Sequence, residues 1–235
     1  MPTVLVTGAA RGLGREFVRQ YAAAGWQVIA CARDPDAARD LASGSGSVSV
    51  RRLDLLEPAT IAALAAALAG TALDVLLNNA GTMGSQSFAE QGLGAQRFGH
   101  SDYADWEQIL RVNVFGPMRM AEAFVEHVAA SERRIIATLT SMVGSIGTNR
   151  AGGLYAYRSS KAAVNAVMKS MSIDLAGRGI IATPIHPGWA KTEMGGPQAP
   201  VDPVDAVAGV RRVIDGLTPE RAGRFWQFDG TELPW

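Results

Sequence analysis

Thr3-Val4-Leu5-Val6-Thr7-Gly8-Ala9-Ala10-Arg11-Gly12-Leu13-Gly14 decides the fold. Thr3 to Thr7 is a short apolar, β-branched run, and beyond the glycines Phe17, Val18 and Tyr21 fall at helical spacing, so the stretch reads as strand, glycine turn, helix. Glycines at such a junction let the backbone turn tightly and approach a diphosphate, whose charge then faces the free N–H groups and the positive dipole end of the helix. The spacing, Gly-x-x-x-Gly-x-Gly, departs from the commoner G-x-G-x-x-G, and no Gly-Lys-Ser/Thr follows, which excludes a P-loop. Structural punctuation is the alternative; the position at the first βα junction of the chain favours a cofactor.

Downstream, a second strand from Gln27 to Ala32 ends at Arg33 and Asp34. The end of this strand faces the adenosine ribose in a dinucleotide fold, where an acid accepts from both hydroxyls of NAD. Here an arginine stands beside the acid, and Arg33 with Arg11 would form a cationic pair around a 2′-phosphate, favouring NADP. Two solvated surface arginines is the competing reading. After a Gly/Ser loop at Ser43 to Ser47, a strand from Val48 to Leu53 leads to Asp54, which either accepts from the adenine amino group or caps the helix that Pro58 opens. An alanine-rich helix over Ile61 to Leu68 precedes a strand from Leu73 to Leu77, which delivers Asn78-Asn79-Ala80-Gly81. Paired asparagines there bond their own backbone in a turn or brace neighbouring strands beside the cofactor.

Thr82 to Gly99 lacks periodicity and reads as a mobile loop above the cofactor site. A long amphipathic helix is expected from Tyr103 to Ala130, with Asn113 in its middle and Pro117 four residues on. Proline cannot donate to the Asn113 carbonyl, so the turn kinks and that carbonyl is free to hold a water; an asparagine that merely serves a local kink is the alternative. A strand from Arg134 to Leu139 ends in Thr140-Ser141, and glycines at 144, 147, 152 and 153 make a loop leading to Tyr157-Arg158-Ser159-Ser160-Lys161. Tyr and Lys four apart on a helix share one face, so the ammonium lies near the phenol and favours its ionised form. Unperturbed tyrosine titrates near ~10, and a nearby cation moves it toward the working range of a general acid. Tyr155 has Ser159 at the matching position and lacks that partner. Ser141 would donate or accept at a substrate oxygen; without a G-x-S-x-G elbow it is no hydrolase nucleophile. His186 before Pro187-Gly188 reads as backbone architecture, and no triad emerges.

At 235 residues and 48% hydrophobic, one α/β domain spanning 1–235 is expected. Lys plus Arg and Asp plus Glu are 22 each, with no long basic run, which argues against nucleic acid and anionic membrane partners. The lone Cys31 excludes an intrachain disulfide, and three histidines with no close Cys/His cluster predict no metal site. The start of the chain lacks a basic n-region, and no apolar run approaches the ~20 residues that span a bilayer, so a cytoplasmic protein is expected.

The segment Thr7 to Gly14, Asp54, Asn78 to Gly81, Asn113, Ser141, Tyr157/Lys161 and Pro187-Gly188 with Thr192 occur in one order, and together they resemble the short-chain dehydrogenase/reductase family over nearly the whole chain. Gly152 to Arg158, His186 to Gly196 and the ending Gly230 to Trp235 resemble its C-factor and sniffer-type carbonyl reductase branch. The resemblance implies a Rossmann-type, doubly wound parallel sheet of seven strands. It also implies catalytic Asn113, Ser141, Tyr157 and Lys161, acting in NADP(H)-dependent transfer of a hydride to a ketone or aldehyde carbon, with NAD(H) the second choice of cofactor. The implied cofactor site comprises Thr7, Gly8, Ala10, Arg11, Gly12, Leu13, Gly14, Arg33, Asp54, Leu55, Asn79, Ala80, Gly81, Asn113, Tyr157, Lys161, Pro187, Gly188 and Thr192. A small carbonyl or alcohol is the implied substrate, and a homodimer, with a tetramer as the alternative, the implied assembly. A dinucleotide-binding signalling or regulatory protein of C-factor type is the runner-up function.

Overall fold

A computed structural model describes residues 1–42, 47–85 and 97–235. Most of the expected Gly/Ser loop, at 43–46, and residues 86–96 of the expected loop at 82–99 lie outside the described residues. Seven strands, β1 (Thr3–Thr7), β2 (Gln27–Ala32), β3 (Val48–Arg52), β4 (Val75–Asn78), β5 (Ile135–Leu139), β6 (Ile181–His186) and β7 (Trp226–Gln227), form one sheet in the order β3-β2-β1-β4-β5-β6-β7. Every neighbouring pair is parallel.

Side chains alternate across each strand, so one run of apolar residues serves two cores. Val4 and Val6 of β1 face a cluster with Phe17 and Tyr21 of α1 (Gly12–Ala23) and Val207 and Val210 of α6 (Pro203–Asp215). Leu5 faces the other side, with Leu64 of α2 (Pro58–Ala67), Phe124 of α4 (Gly116–Ala129) and Val164 of α5 (Tyr155–Asp174). This is the doubly wound arrangement, with its strand order reversing between β1 and β4. Ligands bind such sheets in the crevice outside the carboxyl ends at that switch point.

The helix expected from Tyr103 to Ala130 is broken into α3 (Tyr103–Leu110), one π-helical turn at Arg111–Phe115, and α4. Asp102 starts α3, its Oδ1 accepting from the amides of Ala104 and Asp105 at 2.9 and 3.1 Å. Pro117 has no amide hydrogen, and the Gly116 amide reaches the Arg111 carbonyl five residues back, so the kink is taken up as a wide turn that contains Asn113. Asp54 does not cap α2: its Oδ1 accepts from the Leu56 amide at 2.9 Å, and Glu57 precedes the helix without a side-chain cap. Strand β4 begins at Val75, because the Leu73 amide is drawn to the His127 carbonyl at 2.9 Å. Among the described residues no helix is long and apolar enough to cross a membrane, and no group of acidic, histidine or cysteine side chains is placed to hold a metal.

Candidate active site

Thr7 and Asn79, at the carboxyl ends of β1 and β4, clamp the switch point. Thr7 Oγ1 accepts from the amides of Asn79 and Ala80, both at 3.0 Å, and Asn79 Nδ2 donates to the carbonyls of Thr7 at 2.7 Å and Gly8 at 3.3 Å. Of the two readings of the asparagine pair, the strand brace is the one observed. Asn78 reaches sideways to Thr138 of β5 at 3.3 Å. Gly8 at φ +69° and Gly12 at φ +54° take backbone conformations that a side chain disfavours. A Cβ on Gly14 would run into the Gly8 carbonyl and come within 2.6 Å of Asn79 Nδ2, so the third glycine serves the close fit of helix on strand. Helix α1 then opens with no capping side chain and no acid in its first turn. Its free amides therefore await an anion from outside the chain, which fits a dinucleotide diphosphate.

On the adenosine side, Arg33 is exposed and makes no ion pair among the described residues, whereas Asp34 spends Oδ1 on the Asp36 amide at 3.0 Å. Arg11 has a partner the sequence did not suggest: its guanidinium donates to Glu193 Oε2 at 2.5 Å, in the segment after β6. Leu55, read as a cofactor neighbour, is buried in the core, where a Cβ on Gly116 would meet its Cδ1 at 2.8 Å. Its backbone is what remains available.

Ser141, Tyr157, Lys161 and Asn113 come together from the turn after β5, the first two turns of α5 and the π turn. Ser141 caps the short turn Met142–Gly144, its Oγ accepting from the Val143 amide at 3.3 Å, and hydrogen-bonds the Tyr157 phenol. Lys161 is buried, with Nζ donating to the Leu139 carbonyl at 3.0 Å and standing 5.6 Å from the Tyr157 ring centre. Burial pushes its ammonium down to about 8. Tyr157 is part-exposed at its surface but deep among protein atoms, and burial pushes the phenol up to about 12 against the opposing bond from Ser141. On balance the phenol is raised and not lowered, because desolvation exceeds the opposing bond from Ser141. Asn113 is buried, and its side chain is fully engaged. Its Oδ1 accepts from the Thr82 amide at 2.8 Å, and Nδ2 donates to the Thr82 carbonyl at 2.8 Å and to Ser160 Oγ at 3.0 Å. Gly81 is thereby held where a Cβ would lie 3.3 Å from Asn113 Oδ1 and 3.5 Å from Lys161 Nζ.

After β6, Pro187 and Gly188 turn the chain back, Gly188 at φ +82° with Phe228 and Val201 packed against it. Thr192 lies across the cleft, its methyl 3.5 Å from where a Cβ on Gly12 would be, and its Oγ1 accepts from the Gly195 amide at 3.2 Å. His186 ends β6 buried, and desolvation takes its imidazole down to about 4, so it is neutral.

The family model described as short chain dehydrogenase matches residues 2–201. The chain belongs to that family. C-signal of Myxococcus xanthus is 44% identical over 163 residues, 69% of this chain and 93% of that protein. Two solved structures superpose over the whole chain: the carbonyl reductase Sniffer of D. melanogaster, with TM-score 0.90, 31% identity and 100% of that chain covered, and an NADPH-bound carbonyl reductase from chicken fatty liver, with TM-score 0.89, 29% identity and 99% covered. The C-factor and sniffer branch of the short-chain dehydrogenases is thus where this chain falls.

In this short-chain dehydrogenase several supporting residues escaped the motif reading. Arg158 donates from Nε to the Gly153 carbonyl and from Nη1 to the Val143 carbonyl, both at 3.1 Å, tying the Ser141 turn to the start of α5. Gly144 permits the same approach, since a Cβ there would lie 2.8 Å from the Lys161 carbonyl carbon. Trp106 Nε1 donates to Ser159 Oγ at 3.0 Å and fixes α3 to α5. Arg158, Ser159 and Ser160 stood inside the quoted Tyr157 to Lys161 stretch; their partners, distant in sequence, gave no signal.

Proposed function

We propose that residues 1–235 act as one catalytic unit, an NADP(H)-dependent reductase of ketone or aldehyde carbonyls with Tyr157 as general acid. The observation that carries this reading is the hydrogen bond between Ser141 and a phenol beside the buried Lys161 ammonium. When bound, the cofactor supplies a hydride to the carbonyl carbon. Gly8, Ala10, Gly12 and Leu13 with the α1 amides would hold its diphosphate, Asp54 and the Leu55 backbone its adenine, and Arg11 with Arg33 its 2′-phosphate. Thr192 with the backbone around Asn79 to Gly81 and Pro187-Gly188 would flank the nicotinamide, and Lys161 would hold the adjoining ribose. Ser141 holds the substrate oxygen and Tyr157 gives it a proton. With the phenol near 12 and the lysine near 8, tyrosine carries its proton and lysine its charge at neutral pH, the pair of states that reduction needs. Lys161 stabilises the phenolate left behind, and the main-chain carbonyl of Asn113, which Pro117 cannot serve, holds the water that returns a proton. Two NADP(H) features support the cofactor choice: Asp34 is turned to its own backbone, and the chicken liver enzyme of matching fold is NADPH-bound. Exposed Phe115, Met118 and Ile173 on or beside α4 and α5 support a homodimer through those helices.

A second reading, a dinucleotide-binding signalling protein with incidental turnover, draws on the 44% identity to C-signal. A panel of ketones, aldehydes and quinones, followed by NADPH absorbance, separates the two. Saturable consumption with at least one carbonyl is expected; tight NADPH binding with no turnover across the panel gives the case to the second reading.

A further inference from the structure

The ion pair between Arg11 and Glu193 spans the cofactor cleft. Arg11 belongs to the glycine turn after β1, and Glu193 to the segment after β6, with β4 and β5 standing between those strands in the sheet. Thr192 and Gly12 bring the two segments close at the neighbouring position, the Thr192 methyl standing 3.5 Å from where a Cβ on Gly12 would be. The turn that carries Glu193 is held on both sides: the Gly196 amide donates to the Thr192 carbonyl at 2.8 Å, the Lys191 amide to the Val201 carbonyl at 2.9 Å, and Trp189 Nε1 to the Gly195 carbonyl at 2.8 Å. The carboxylate therefore projects from a fixed backbone onto the one guanidinium of the glycine turn. A phosphorylated dinucleotide needs that same guanidinium, and it carries negative charge past Glu193 as it enters.

We infer that Glu193 is a specificity-determining residue that holds Arg11 across the cleft and lowers affinity for the phosphorylated cofactor, giving up Arg11 when a 2′-phosphate replaces the carboxylate. The inference rests on the NADP reading above. Carboxylate and phosphate compete for one charge-assisted donor, and the dianionic phosphate is the stronger acceptor. Because Arg11 and Glu193 are 70% and 72% exposed, their pair is loose, and the binding-competent, unpaired form is well populated. The penalty on NADPH is accordingly modest, about two- to fivefold. For NADH only the general repulsion of the diphosphate by Glu193 remains, and the penalty is smaller.

Titration of NADPH and NADH at low ionic strength into the unaltered protein, Glu193→Gln, Arg11→Ala and the double variant tests this. Glu132→Gln changes the net charge equally at an exposed position before β5, at the amino ends of the strands and away from the cleft, and is the control. Expected is a two- to fivefold tighter NADPH for Glu193→Gln, a smaller gain for NADH, no gain in Glu132→Gln, and no gain when Glu193→Gln is made on Arg11→Ala. Equal gains for both cofactors, a gain that survives without Arg11, or no gain at all overturns the inference alone and leaves the cofactor assignment standing. Failure of the unaltered protein to bind either dinucleotide overturns the cofactor assignment and the inference together.

Discussion

Lys161 Nζ stands 5.6 Å from the centre of the Tyr157 ring while donating to the Leu139 carbonyl at 3.0 Å. The ammonium is thus anchored to the end of β5 and lies over the face of the phenol. Burial disfavours the charged form of each, so the lysine is pulled down and the tyrosine pushed up. At neutral pH the tyrosine therefore keeps the proton that a general acid would give.

Removal of the Tyr157 hydroxyl isolates that role. Tyr157→Phe retains the ring, and cofactor affinity should persist while kcat for the best carbonyl falls by ~10²- to 10⁴-fold. Tyr155→Phe, two residues earlier and without a lysine partner, should lose little. Near-native kcat in Tyr157→Phe would transfer the chain to the signalling reading.

The pH profile should carry the lysine. Reduction is expected to be level below about 8 and to fall above it, as Lys161 sheds its proton and ceases to stabilise the phenolate. Tyr157, up at about 12, contributes no limb over the same range. Lys161→Arg keeps its charge, so whatever activity remains should not fall near 8. A wild-type profile that stays level to the edge of protein stability removes Lys161 from this role.

Cofactor choice rests on charge. Neutralising Arg11 and Arg33 together should weaken NADPH by ~10²-fold or more, since hydrogen bonds to charged groups are each worth ~1.5–3 kcal/mol. NADH should change by less than about threefold. Isothermal titration with both cofactors decides, and an unaltered protein that binds NADH as tightly as NADPH reduces the arginines to surface charge.

Gly144 tests how the Ser141 turn is seated. A Cβ there would lie 2.8 Å from the Lys161 carbonyl carbon and 2.9 Å from its Cβ, too close for either backbone to yield cheaply. Gly144→Ala should cost ~1–3 kcal/mol of stability and lower kcat by displacing Ser141 from Tyr157. Gly177→Ala, where nothing lies within 4 Å of the added carbon, is the control. Matching melting temperatures for the two variants would show that the turn is not close-packed on α5.

Assembly is read from the exposed apolar side chains at 115, 118 and 173. Light scattering across a concentration series should return twice the chain mass, and Met118→Glu should shift it toward a single chain. A single-chain mass for the unaltered protein at every concentration discards the dimer.

Much of this protein was legible in the sequence because it is local. The run Thr3 to Thr7 followed by glycines and helical spacing marks a βα junction whatever surrounds it, and β2 lies at Gln27–Ala32 as read, since β-branched and apolar runs report burial directly. Tyr157 and Lys161 share a face by helix geometry alone. The tertiary structure decided what happens to those groups once neighbours from other strands enclose them. Whether a cation lowers a phenol depends on how much water both lose, and that is set by β5 and α5 packing together, not by a spacing of four. For Asn113 the sequence spoke only of a kink and a main-chain carbonyl, and its side chain clamps Thr82 and Ser160 because the π turn aims it at segments 31 and 47 residues away. Arg11 meets Glu193 for the same reason: two segments 182 residues apart are brought together at the carboxyl ends of the strands by the strand order, and sequence periodicity carries no record of strand order.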